Sequence, residues 1–121
     1  MTKRSIFASF PVFIEVNVSG EATKHGCAPA DVAQLIDAVE ASAHLQLAGF
    51  MTVGLNSPVE ADVRAAYAQL RDIRDEAAVR LSIEEAELAL SMGMSRDLEW
   101  AIAEGATIVR LGTAIFGARR V

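Results

Sequence analysis

Short apolar runs alternate with amphipathic stretches along almost the whole chain, and this alternation limits the possible folds more than any other feature. Residues 12–18 place Val12, Ile14, Val16 and Val18 on one side and Phe13, Glu15 and Asn17 on the other, the two-residue period of a strand. After a polar loop over 20–27, Pro29 opens a helix with an apolar stripe of Val32, Leu35, Ile36 and Val39. A second strand over 47–53 ends at Gly54. Ser57-Pro58 predicts the cap and first turn of a second helix, with Val63, Tyr67, Leu70, Ile73 and Ala77 on its buried side. Its solvated side is expected to carry pairs four residues apart, Arg71 with Asp75 and Glu76 with Arg80. A third strand over 87–92, a third helix over 95–104 and a fourth strand over 107–111 follow, with 113–119 as a short tail.

The order is therefore β-α-β-α-β-α-β, with near-continuously apolar strands. That combination predicts a parallel sheet carrying helices, an α/β fold. Four such units make either an open four-stranded sheet or half of a (β/α)8 barrel, and periodicity does not choose between them.

With 121 residues, 52% of them hydrophobic, the chain suits a single domain with a real core. Its net charge of -5 and scattered basic residues argue against a nucleic-acid surface. No apolar stretch approaches the roughly 20 residues of a membrane span. The opening MTKRSIFASFPVFIEV runs through Pro11 into a patterned strand without a small-x-small cleavage site before Glu15, so no signal peptide is expected. A single cysteine, Cys27, excludes an internal disulfide and fits a reducing compartment, so the cytoplasm is the expected address. His25 and His44 lie far apart and predict no metal site. Cys27 reads as a packed thiol, Trp100 as packing, and Met51 and Met92 as core filling, with Met94 a neighbour of any ligand at the adjoining turn.

The chemistry is concentrated in residues 90–119, LSMGMSRDLEWAIAEGATIVRLGTAIFGAR. Two glycine-containing turns each follow a short apolar run, and a short helix lies between them. Ser95 is expected at the helix N-cap, with Asp97 in the first turn and Gly93 permitting close backbone approach. Gly112-Thr113 would end the adjacent strand and add backbone N–H groups and a hydroxyl. Such an arrangement suits an anion, although capping and tight turns alone explain the same spacing. Arg110 interrupts an apolar strand one residue from its C-terminal end, where parallel α/β folds bind ligands. A guanidinium so placed needs an acceptor, either a ligand or a structural partner such as Glu15.

At these residues the sequence resembles the pyridoxal-phosphate homeostasis protein family, as do FIEVNVSGEATKHG and LAGFMTVG upstream. The resemblance covers Pro11 to Arg119. It implies a (β/α)8 barrel like the N-terminal domain of alanine racemase, with residues 1–121 matching the C-terminal half, strands five to eight, and the N-terminal half with its Schiff-base lysine absent. It further implies pyridoxal 5'-phosphate as cofactor. Ser95, Gly112 and Thr113 would hold the phosphate, Gly93 and Met94 would shape the turn, and Ser91 would sit at the edge of the site. Arg110 would face the pyridine nitrogen, with Asn17 and Lys24 near the ring. Because arginine offers only donors, that nitrogen must accept and remain unprotonated, a weaker electron sink than a pyridinium. The resemblance thus implies a cofactor-binding, non-catalytic role. The alternatives are a racemase-like enzyme once the barrel is completed, or an inert truncated fragment. Half a barrel would leave open edges and an unpacked inner face, and a homodimer or a complementing chain is the expected closure.

Overall fold

The computed structural model describes residues 9–20 and 25–110. Four parallel strands form one sheet in the order β1 (Phe10–Glu15), β2 (Leu45–Met51), β3 (Ala89–Met94), β4 (Ile108–Arg110). The connections carry α1 (Val32–Ala41), α2 (Glu60–Leu81) and α3 (Leu98–Ala103). Adjacent parallel strands joined in sequence by right-handed crossovers put every helix on the same side. Accordingly α2 packs against both α1 and α3.

The sheet is buried where the helices lie. Val16, Leu47, Phe50, Leu88, Leu90 and Met92 meet Val32, Ile36, Val63, Tyr67, Leu70 and Ala77 in a continuous core. The expected stripe of α2 is thus largely inside, with Ile73 half-buried. In α1, Val32 and Ile36 are buried while Leu35 is exposed. Residues of opposite parity face away from the helices, and large apolar side chains there stay accessible: Phe13 is 38% exposed, Val53 37% and Ile108 43%. Among the described residues, one face of the sheet is packed against the helices and the other is bare of helices.

Element boundaries differ locally from the sequence expectations. Pro29–Asp31 form a turn of 3-10 helix before α1. Ser57-Pro58 do not cap α2, which begins two residues after Pro58 with Val59 at the N-cap position. Ser57 instead accepts the Val59 N–H in a local turn at 3.1 Å. The expected intrahelical ion pairs of α2 are absent as well. Arg71 reaches Glu104 at 2.7 Å, Arg80 reaches Asp37 at 2.9 Å, and Asp75 pairs with Arg74 at 2.7 Å. Arg64 also binds Glu104, at 2.8 Å. Arg71 and Arg80, expected on the solvated side, therefore join α2 to its neighbours, because long arginine stems reach across helix seams, while Asp75 pairs within the helix.

Candidate cofactor site

The site grows from the carboxyl ends of β3 and β4. These strands pair with Met94 opposite Arg110, after an irregularity between Ser91 and Met94. Gly93 lies in that irregularity with φ +105°, and a Cβ there would fall 2.5 Å from that of Ala101 in α3. Glycine is therefore required both for the backbone conformation and for the approach of α3. The strand then turns directly into a 3-10 segment, Ser95–Asp97, which leads into α3.

Ser95 is not a helix cap. It is the first residue of the 3-10 segment and is exposed. The capping contact comes from Asp97, whose Oδ1 accepts the Met94 N–H at 2.8 Å. Asp97 is only 7% exposed, and its Oδ2 accepts the hydroxyl of Tyr67 at 2.7 Å. Burial, reinforced by the Asp97 contact, pushes the Tyr67 hydroxyl well above its ordinary pKa despite the opposing charges of Arg110 and Arg96. It remains a donor.

Arg110 lies beside this turn and not among the outer helices. Val109, its neighbour, would lie 3.4 Å from a Cβ on Gly93, next to Ala101 and towards α3. Alternation sends Arg110 to the bare face. Its Nη2 donates to the carbonyl of Thr52 at 2.9 Å, so the structural acceptor is a backbone oxygen after β2 and not Glu15. Thr52 is itself fixed. Its N–H donates to the Ser91 carbonyl at 3.1 Å, and its Oγ1 accepts the Gly54 N–H at 3.2 Å. Gly54 in turn abuts Tyr67, whose hydroxyl would lie 2.8 Å from a Cβ at that position. A connected framework thus runs from Arg110 through Thr52, Gly54, Tyr67 and Asp97 to Met94.

The structure gathers Ser91, Gly93, Met94, Ser95 and Arg110 at one margin of the sheet. Ser91 is buried within β3 and stands below the tip. Asn17 follows β1, three strand spacings from β4, or about 14 Å. Its Oδ1 accepts the Ser19 N–H at 3.0 Å and the Ser19 hydroxyl at 2.8 Å. Lys24, Gly112 and Thr113 lie outside the described residues. Cys27 is half-buried, and burial raises its thiol pKa, with Asp31 adding to the rise, which disfavours a nucleophile. Among the described residues no group of histidine, cysteine and carboxylate side chains could hold a metal. No helix among them is long and apolar enough to cross a membrane. Tyr67, Asp97 and Thr52 escaped sequence reading as site residues. The available signal was a tyrosine in a buried stripe, whose hydroxyl must find a partner.

Comparison with known proteins agrees with this architecture. The pyridoxal phosphate homeostasis protein of Pseudomonas aeruginosa is 48% identical over 108 residues, covering 89% of this chain and 44% of the relative. A crystal structure of a protein from Bifidobacterium adolescentis superposes with a TM-score of 0.81 at 40% identity, covering 89% of this chain and 43% of that one. PipY of Synechococcus elongatus, with PLP bound, matches with a TM-score of 0.70 at 31% identity, covering 90% and 50% respectively. The chain thus spans about half the length of the proteins it resembles. The family described as alanine racemase, N-terminal domain, matches residues 3–120, and the chain belongs to that family.

Proposed function

We propose that this chain binds pyridoxal 5'-phosphate in a homeostatic, non-catalytic role in the cytoplasm, and that it represents strands five to eight of a (β/α)8 barrel. The carrying observation is the pairing of Met94 with Arg110, which sets a glycine-shaped turn and a guanidinium side by side at adjacent strand ends. The donor set suits the ligand. Arginine carries five N–H donors, and its Nη2 contact with Thr52 uses one. The exposed Ser95 hydroxyl and the turn around it would take the phosphate, with Gly112 and Thr113 joining them. Arg110 would face the ring nitrogen, while Gly93, Met94 and Ser91 would form the wall. Asn17 and Lys24 would approach from the β1 side.

When bound, pyridoxal phosphate supplies an electron-accepting ring. A donor-only neighbour at the nitrogen keeps that capacity low, which favours holding the cofactor over using it. The carboxylate that accepts the Met94 N–H at the β3 tip supports the same reading, since Asp97 is bonded to Tyr67 as well as to that amide. A racemase-like activity would need a lysine and an acid–base group across the ring. A second copy, or a segment supplying strands one to four of the barrel, would cover the sheet face that carries no helix and complete the site.

Titration of the purified chain with pyridoxal 5'-phosphate, pyridoxal and inorganic phosphate tests the proposal. The phosphorylated vitamer should bind more tightly than pyridoxal. Arg110→Ala should weaken binding about tenfold or more, since a charge-assisted hydrogen bond contributes roughly 1.5–3 kcal/mol. Equal affinity for pyridoxal and its phosphate would overturn the assignment.

A further inference from the structure

We infer that Tyr67 and Asp97 are a positioning pair that sets the backbone of the turn after β3 for the phosphate, an inference resting on the cofactor reading above. Asp97 has arginines in its vicinity, with Arg96 adjacent in sequence and exposed. Yet both of its oxygens are committed elsewhere, one to the Tyr67 hydroxyl at 2.7 Å and one to the Met94 N–H at 2.8 Å. A buried carboxylate with two short hydrogen bonds fixes the relative position of both donors. The donors come from different layers. Tyr67 is fully buried in α2, and Met94 ends β3.

The consequence is specific to the turn. Met94 follows Gly93, whose φ of +105° is a conformation few residues adopt, and precedes Ser95, the proposed phosphate contact. Holding the Met94 N–H inward towards Asp97 restricts the peptide that carries the strand into Ser95–Asp97. Tyr67 prevents the carboxylate from swinging out to solvent or to an arginine. It does so from a hydroxyl also lodged against Gly54, so the segments after β2 and β3 meet at one side chain. The pair does not touch the proposed ligand; it acts through Met94 and Ser95.

Tyr67→Phe retains the ring in the core and removes only the hydroxyl. Asp97→Ala removes both acceptors, whereas Asp97→Asn keeps an acceptor for Met94 and can donate to the tyrosine oxygen. Amide hydrogen exchange of the ligand-free full chain gives the first readout. Met94 exchange should accelerate about tenfold in Tyr67→Phe and more in Asp97→Ala, with Leu90 unchanged as the internal reference and Asp97→Asn close to wild type. In binding, Tyr67→Phe should lower affinity for pyridoxal 5'-phosphate several-fold while leaving that for pyridoxal unchanged. Unchanged Met94 exchange in both Tyr67→Phe and Asp97→Ala would overturn the inference and leave the tyrosine a core residue only. Should wild type bind no pyridoxal 5'-phosphate, the cofactor reading fails, and Met94 exchange still decides whether the pair holds the turn.

Discussion

Glu104 shows how one residue at the end of a short helix can organise its surroundings. Its carboxylate receives Arg64 at 2.8 Å and Arg71 at 2.7 Å, and its side chain is only 12% exposed. Both arginines belong to α2, so the contact ties that helix to the segment leading into β4. Hydrogen bonding from Arg64 first, then from Arg71, holds the Glu104 pKa below its ordinary value of 4.5 against the opposing effect of burial. A carboxylate with a lowered folded-state pKa stabilises the fold above its unfolded pKa and loses that contribution as pH falls through the folded value. Glu104→Gln should therefore cost on the order of 1 kcal/mol at neutral pH, given the partial exposure of both partners. Urea denaturation at pH 7 and at pH 3 checks this, and the gap between variant and wild type should shrink at the lower pH.

At the scale of elements, the connection from β3 to α3 is the most demanding part of the fold. The strand passes through Gly93 and enters a 3-10 turn with no intervening loop, while Ala101 presses against the glycine from outside. Gly93→Ala would combine a left-handed φ with a carbon 2.5 Å from another methyl, so α3 would have to retreat. We expect a loss of about 1–3 kcal/mol in urea-denaturation stability, and α3 displaced along with the turn. The alternation of strands and helices was plain from apolar spacing, and the stripe of α2 appeared where the period placed it. The caps were less legible. Ser57 and Ser95 both occupy positions typical of capping residues, yet Ser57 closes a local turn and Ser95 yields its expected contact to Asp97. A hydroxyl's choice among nearby N–H groups depends on where the backbone bends, and several bends fit one sequence.

On the scale of the molecule, the dominant fact among the described residues is a sheet with one face bare of helices. Phe13, Val53 and Ile108 remain exposed there, and β1 and β4 are the outer strands of the described sheet. Apolar area of this kind favours association, and outer strands offer unpaired backbone groups to a partner. The proposed closure by a second copy predicts a native mass above that of one chain in a concentration series by light scattering. Ile108→Lys would place a charge in the interface and should shift the chain towards monomer, with α-helical circular dichroism retained. A mass equal to one chain for wild type at every concentration would argue against self-association.

The amino-acid pattern alone determined the order of elements and the parallel sheet, and it marked the sheet margin where the proposed cofactor residues lie together. Those properties follow from period, polarity and glycine placement, which act over a few residues. Only the tertiary structure decided which partner each polar group takes: Arg110 the Thr52 carbonyl, Glu104 two arginines of α2, and Asp97 both Tyr67 and Met94. Buried polar groups must be satisfied by whatever lies within about 3 Å, and those neighbours come from segments tens of residues away that meet only when the sheet and helices close.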